Sequence, residues 1–216
     1  MRPLELYAIL DPAVSQGRDL RTILSAVAAG GGRWVQLRDK SSPIRALLPL
    51  ARELRALARD LGVTFIVNDR LDLALAAEAD GLHVGQDDLP AAVARRLLGP
   101  GRILGVSSHS LDEAIRAEAE GADYVAFGSI FPTRTKSEFT LVGLDLLSEV
   151  RRNVTKPLVA IGGITIENVQ DVIRAGADGA AVISAICGAE RPHEATRQLL
   201  EAVRQARASE TRASLP

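Results

Sequence analysis

Eight short apolar runs, each followed by a longer amphipathic stretch, limit how this chain can fold more than any other feature of its sequence. The runs lie near residues 5–10, 33–37, 63–67, 81–84, 102–106, 123–127, 157–161 and 178–183, and they are rich in Val, Ile and Leu. Strands that are apolar on both faces and separated by helices argue for a parallel sheet covered on both sides. The intervals carry helical periodicity. Within residues 43–61, Ile44, Leu47, Leu48, Leu54, Leu57 and Leu61 recur at three- and four-residue spacing, and residues 111–120 follow the same pattern. Eight strand–helix units in ~210 residues predict an α/β fold, a single-domain (β/α)8 TIM barrel. The alternative is an open doubly wound sheet. The lack of a Gly-x-Gly-x-x-Gly turn after the first run weakens the dinucleotide-binding form of that alternative.

Internal echoes agree with the repeated unit. Glu120-Gly121-Ala122-Asp123-Tyr124-Val125 resembles Ala175-Gly176-Ala177-Asp178-Gly179-Ala180, and Ala79-Asp80-Gly81-Leu82 is a shorter version. Each sets a small residue or glycine between a helix end and the next strand, as a C-cap requires. No composition break interrupts the chain, so the barrel is expected over residues 1–207. Residues 208–216 are short, polar and non-periodic, and read as a frayed tail.

The setting follows from charge and residue counts. With 26 basic and 27 acidic residues the net charge is −1, which argues against a nucleic-acid or anionic-membrane binder. Four Phe, two Tyr and one Trp leave little for base stacking. One cysteine, Cys187, excludes an intramolecular disulfide and suits a reducing compartment. No apolar run reaches the ~18–20 residues of a membrane span. Residues 1–12 lack the pattern of a signal peptide. A soluble cytoplasmic protein is the expectation.

Barrel enzymes build their sites from the loops after the strands, and the unusual polar residues of this chain fall there. After the second strand, Gln36, Arg38 and Lys40 would share one side of the mouth if strand geometry persists. Neighbouring cations there suit a bound anion, although an ordinary basic loop would look the same. Asn68-Asp69-Arg70 follows the third strand, and Asp87-Asp88 lies beyond the fourth. Two carboxylates from adjacent strand ends can share a Mg2+ ion with phosphate oxygens and water. Either Asp also reads as a helix N-cap, most readily Asp88, which precedes Leu89-Pro90. After the fifth strand comes Gly105-Val106-Ser107-Ser108-His109-Ser110. Ser110 reads as the cap of the next helix, with Glu113 completing a capping box, and His109 reads first as a packing residue.

The longest polar loop runs from Phe127 to Thr140 and carries Thr133-Arg134-Thr135-Lys136, an anion grip and a candidate lid. Lysine occurs only at positions 40, 136 and 156, and the other basic residues are all arginine. Two of three lysines at strand ends suggest places that want a compact ammonium. Ile161-Gly162-Gly163-Ile164-Thr165 and Ile183-Ser184 follow the seventh and eighth strands, where this fold commonly binds phosphate through backbone N–H groups. The pattern therefore suggests two anion sites: phosphate at loops 6 to 8, and a cationic, metal-assisted site at loops 2 to 4. Trp34, Cys187 and His193 read as packing or surface residues.

Taken together, Gln-Leu-Arg-Asp-Lys, Asn-Asp-Arg, His-Val-Gly-Gln-Asp-Asp, Gly-Val-Ser-Ser-His, Pro-Thr-Arg-Thr-Lys and Ile-Gly-Gly-Ile closely resemble the thiamine-phosphate synthase family, in order, from about Leu4 to Leu200. The resemblance implies a (β/α)8 barrel that joins hydroxymethylpyrimidine diphosphate to thiazole phosphate, releasing diphosphate and giving thiamine phosphate. It implies pyrimidine-diphosphate contacts at Gln36, Arg38, Lys40, Asn68, Ser107 and Lys136, with Arg38, Ser107 and Lys136 closest to catalysis. It implies Mg2+ ligands at Asp69 and Asp88, and thiazole-phosphate contacts at Thr133, Thr135, Gly163, Ile183 and Ser184. Asp87, Ser108 and Ser129 depart from the family pattern without removing a matched group. The resemblance implies small-molecule substrates and no nucleic-acid or membrane partner, and it admits a homodimer.

Two rival readings remain. A thiazole tautomerase-like isomerase on the same barrel would need a proton-transfer group and no diphosphate machinery, so the Asp69/Asp88 pair counts against it. A non-catalytic barrel that binds a phosphorylated ligand should have lost some site charges, and none is lost.

Overall fold

A computed structural model describes residues 2–133 and 140–213. Eight strands close into a parallel barrel in the order of the chain: β1 (Leu6–Leu10), β2 (Trp34–Leu37), β3 (Thr64–Asn68), β4 (Gly81–Val84), β5 (Ile103–Ser108), β6 (Tyr124–Phe127), β7 (Leu158–Ile161) and β8 (Gly179–Val182). The seam between β1 and β8 pairs Leu6 with Ala180 and Ala8 with Val182. Around it lie α1 (Leu20–Ala29), α2 (Ile44–Asp60), α3 (Leu71–Ala76), α4 (Ala91–Leu98), α5 (Leu111–Ala119), α6 (Gly143–Asn153), α7 (Val169–Arg174), α8 (Ser184–Cys187) and α9 (Pro192–Ala213). The eight expected strands are all present, with ends moved by a residue or two. A short turn of helix, α8, separates β8 from the long α9, so the described residues hold one more helix than the periodicity suggests.

The period-two alternation of each strand divides the core. Leu6, Ala8, Leu10, Val35, Leu37, Phe65, Val67, Leu82, Leu104, Val125 and Ala160 point outward and pack under the helices. Tyr7, Ile9, Trp34, Ile66, Tyr124, Val159 and Ala181 point inward and fill the barrel. α9 packs on α1, α7 and α8. It continues through Ala213, past residue 208 where the tail was expected to begin, because no glycine or proline interrupts residues 193–215 and Ala, Arg, Ser and Glu all tolerate a helix.

The internal echoes have a common structural purpose at the closed end of the barrel. Asp80, Asp123 and Asp178 each precede an even-numbered strand, and each carboxylate accepts a backbone N–H from the preceding strand: Phe65 at 2.9 Å, Leu104 at 2.8 Å and Leu158 at 2.8 Å. Each also pairs with an arginine of the helix two units back, Arg55, Arg95 or Arg151. Two residues before each Asp the chain passes through the left-handed region. Gly121 (φ +95°) and Gly176 (φ +100°) do so without strain, whereas Glu78 (φ +53°) stands in the equivalent place.

Glu78 is exposed, so its side chain contributes little to offset that backbone cost. Glu78→Gly is expected to stabilise the fold by about 0.5–1 kcal/mol, the left-handed penalty less the extra freedom glycine gives the unfolded chain. Urea midpoints at constant m-value measure this, and a lower midpoint for the glycine variant contradicts the account.

Candidate active site

Of the three residues expected along one side of the mouth, only Gln36 lies within β2. β2 ends at Leu37, so Gln36 lies inside the barrel, 2% exposed, with Nε2 donating to the Tyr7 hydroxyl at 2.8 Å. Arg38 and Lys40 stand above it on the loop, and each meets a carboxylate. Arg38 Nη1 pairs with Asp11 Oδ2, and Lys40 Nζ pairs with Asp69 Oδ2. The two cations therefore have resident counter-charges. Asp11 is a functional candidate that the sequence reading missed: it is buried at the end of β1, where its other oxygen accepts the Ala13 N–H at 2.9 Å.

Asp69 and Asp88 come together at the mouth, their carboxylates within reach of one another. Neither is a helix cap. The residue preceding α3 is Arg70 and that preceding α4 is Pro90, and neither provides a side-chain cap. Asp88 Oδ2 instead accepts the Gly85 N–H at 2.8 Å and closes its own loop. Asp69 sits in the left-handed region at φ +60°, a strained setting of the kind that collects at functional positions. Burial pushes its carboxyl above the ordinary carboxylate range, Lys40 pulls it back, and Asp88 adds to the rise. Asn68, the last residue of β3, is half-buried in register with His83.

A cavity of about 1010 Å3 opens at the mouth among the loops after β4 to β8 and the end of β1. Ser107, Thr133, Gly163, Ile183 and Ser184 line it, as do His109, Gly162 and Thr165. Ser108, by contrast, is fully buried on the helix side, so Ser107 is the serine that faces the cavity. Ser110 caps α5, accepting the Glu113 N–H at 3.2 Å, while Glu113 Oε2 accepts the His109 N–H at 2.7 Å. His109 is anchored through Nδ1 to the Gly128 carbonyl, so its ring both packs and lines the cavity. Gly162 (φ +99°) and Gly163 (φ +64°) bring the backbone to the wall. A Cβ on Gly163 would overlap the Pro132 carbonyl and come within 2.8 Å of Phe131 Cβ. Glycine is thus required there for the approach of the loop after β6 as well as for room beside a ligand. Thr135 and Lys136 lie outside the described residues.

Sequence reasoning missed three further inward residues. Tyr7, His83 and Tyr124 form a hydrogen-bonded group beneath the mouth. The glycine at 105, inside a strand, was the available sign of a close approach.

Comparison with known proteins finds relatives that match most of the chain. The family model for thiamine monophosphate synthase matches residues 6–186. A thiamine-phosphate synthase of Moorella thermoacetica is 51% identical over 204 residues, 94% of this chain and 97% of the relative. One from Shouchella clausii is 47% identical over 207 residues, 95% of this chain and 99% of the relative. The solved structure of a thiamine phosphate pyrophosphorylase from Pyrococcus furiosus superposes with a TM-score of 0.86 at 39% identity, covering 94% of this chain and 97% of that one.

The raised carboxyl of Asp69 has a sign that can be checked. A group whose folded-state value lies above its unfolded value favours the fold when protonated, and that contribution fades as pH rises through the folded value. Asp69→Asn keeps a residue that tolerates the left-handed region and removes the buried charge. The variant is expected to be at least as stable as the wild type at neutral pH, with the difference closing on acidification. Urea denaturation of both proteins across that range tests it; a variant clearly less stable at neutral pH contradicts it.

Proposed function

Because this chain belongs to the thiamine monophosphate synthase family, we propose a division of labour across the barrel mouth for the synthesis of thiamine phosphate. The enzyme is a transferase that joins 4-amino-2-methyl-5-(diphosphooxymethyl)pyrimidine to 4-methyl-5-(2-phosphooxyethyl)thiazole. The methylene carbon–oxygen bond breaks, its electron pair leaves with diphosphate, and the thiazole nitrogen lone pair forms the new carbon–nitrogen bond. One observation carries the assignment of parts: the same mouth holds cations with carboxylate partners at Arg38 and Lys40 and a cavity lined by Ser107, Thr133, Gly162, Gly163 and Ser184.

In this reading Arg38, Lys40 and Lys136 hold the diphosphate, and Gln36, Asn68 and Ser107 orient the pyrimidine. Thr133, Thr135, Gly163, Ile183 and Ser184 receive the thiazole phosphate. Asp69 and Asp88 suit a divalent cation: two carboxylates crowd together where burial already disfavours the charge of Asp69, and Mg2+ commonly takes one or two carboxylates with phosphate oxygens and water. Bound Mg2+ would neutralise diphosphate oxygens as negative charge gathers on them. The cationic side chains add to that stabilisation, and the two walls hold the reacting atoms in line. Such chemistry asks for positioning and leaving-group stabilisation rather than a strong base. The buried, unpaired Cys187 supports a reducing, cytoplasmic setting.

Activity is expected to require a divalent cation. Asp69→Asn and Asp88→Asn should each lower turnover by roughly 10^2–10^3-fold, the scale of losing one charge-stabilising group. Full turnover in excess chelator would overturn the metal assignment. Damage to the two anion regions should also separate. Gly163→Ala, by pushing back the loop that carries Thr133, is expected to weaken thiazole-phosphate binding and leave pyrimidine-diphosphate binding intact. Lys136→Ala should slow single-turnover bond cleavage at saturation by a similar roughly 10^2–10^3-fold. Equal weakening of both ligands by Gly163→Ala, or wild-type cleavage in Lys136→Ala, contradicts the division.

A further inference from the structure

Beneath the mouth, five inward side chains on five strands form an unbroken line of hydrogen bonds. Gln36 Nε2 meets the Tyr7 hydroxyl at 2.8 Å, and Tyr7 meets the Tyr124 hydroxyl at 3.0 Å. Tyr124 meets His83 Nδ1 at 2.9 Å, and His83 Nε2 meets Ser107 Oγ at 2.8 Å. Gln36, Tyr7, Tyr124 and His83 are buried, and the line reaches the cavity at Ser107. The fold makes room for it. His83, Gly105 and Tyr124 occupy one register row on neighbouring strands. A Cβ on Gly105 would overlap the hydroxyl end of Tyr124, so glycine lets that ring lie across β5 and stack on His83, 5.6 Å between centroids and 28° from parallel. The reaction scheme above gives Tyr7, Tyr124 and His83 no part.

Counting hydrogens gives the line a direction. Burial pushes both phenols well above their usual range, so each keeps its single hydrogen. An amide nitrogen can only donate, so Tyr7 accepts from Gln36, and the one arrangement that leaves no buried phenol hydrogen without an acceptor has Tyr7 donating to Tyr124. Tyr124 in turn donates to His83 Nδ1. That nitrogen is then bare, the imidazole proton sits on Nε2, and Nε2–H donates to Ser107 Oγ. The hydroxyl hydrogen of Ser107 is the one left over. Turning the Gln36 amide round would reverse every step and make Ser107 an acceptor toward the cavity.

We propose that Tyr124 and His83 are positioning residues which, with Tyr7 and Gln36, fix the Ser107 hydroxyl as a hydrogen-bond donor toward the substrate. The proposal rests on the reading that Ser107 contacts the pyrimidine. An aminopyrimidine offers ring nitrogens that accept and an amino group that donates, so a donor at Ser107 selects a ring nitrogen and sets how the heterocycle lies beside the thiazole.

The first test needs no substrate. Nitrogen-15 NMR of histidine-labelled protein reports which ring nitrogen carries the proton, and of the three histidines His83 is identified by the signals lost in His83→Gln. The wild type is expected to show the Nε2–H form at His83, and Tyr124→Phe to lose that fixed preference. A proton on Nδ1 in the wild type overturns the proposal. The second test is kinetic. Tyr124→Phe should slow single turnover about five- to tenfold, the scale of one neutral hydrogen bond, without changing thiazole-phosphate affinity. Tyr7→Phe, one step further from the ligand, should act in the same direction. Because Tyr124 acts through Ser107, the Ser107→Ala/Tyr124→Phe double variant should be no slower than Ser107→Ala alone. Additive losses overturn the positioning role. Wild-type pyrimidine-diphosphate binding and turnover in Ser107→Ala, with the NMR result intact, overturn the assignment of Ser107 to substrate and the proposal built on it.

Discussion

Closing eight parallel strands on themselves leaves a narrow interior that side chains must fill, and the rest of this structure depends on how they fill it. Tyr7, Trp34 and Tyr124 pack edge to face in a triangle, with centroids 5.8–6.0 Å apart. Each such contact contributes about 0.5–1.5 kcal/mol beyond burial. Aromatic bulk of this kind brings polar atoms into a dry space, where each phenol needs a partner. The partners are Gln36 and His83. The filling of the barrel and the polar line that reaches Ser107 are thus one solution to one packing problem. The indole nitrogen of Trp34 has no hydrogen-bond partner among the described residues, a cost set against the packing of its ring.

The two ends of the barrel are built on opposite principles. At the closed end, each repeated Asp satisfies a strand N–H and an arginine together, so charge is matched where it is placed. At the mouth, Asp69 is held in a left-handed conformation, partly desolvated and facing another carboxylate. Lys40 meets part of that charge and the Gly85 N–H engages Asp88, and the proposed divalent cation would meet the rest. Rules of local consistency commonly fail at functional positions.

The strand and helix pattern made the barrel legible, because two-sided apolar runs separated by helices admit few other architectures. The strand-end rule located Ser107, Thr133, Gly163, Ile183 and Ser184 at the cavity. Period-two reasoning holds for Gln36, which lies inside the barrel, but does not carry on to Arg38 and Lys40, because β2 stops at Leu37 and both belong to a loop with its own geometry. Asp11, Tyr7, Tyr124 and His83 were hidden for another reason. In a strand, an inward tyrosine looks like any core aromatic, and its partner depends on register across neighbouring strands. A glycine at 105 marks a close approach but does not say by what. The tail shows the converse, since loss of apolar periodicity ended the expected fold at 207 while permissive residues carried α9 on to Ala213.

The pairing of the two loop cations divides them by what a ligand could displace. Arg38 and Asp11 have side chains 16% and 4% exposed, whereas Lys40 is 55% exposed beside Asp69 at 15%. Breaking a buried pair strands a charge away from water and is costly, but an exposed lysine gives up its partner for little. Arg38 therefore stays where Asp11 holds it. A guanidinium has five N–H donors, so one carboxylate contact leaves others to face an arriving anion. Under the proposed function Lys40 would exchange Asp69 for diphosphate, which would also release Asp69 for a cation. In that proposal the site would meet its charged substrate with one fixed and one movable cation, and the movable one would couple arrival of the anion to the freeing of Asp69 for Mg2+.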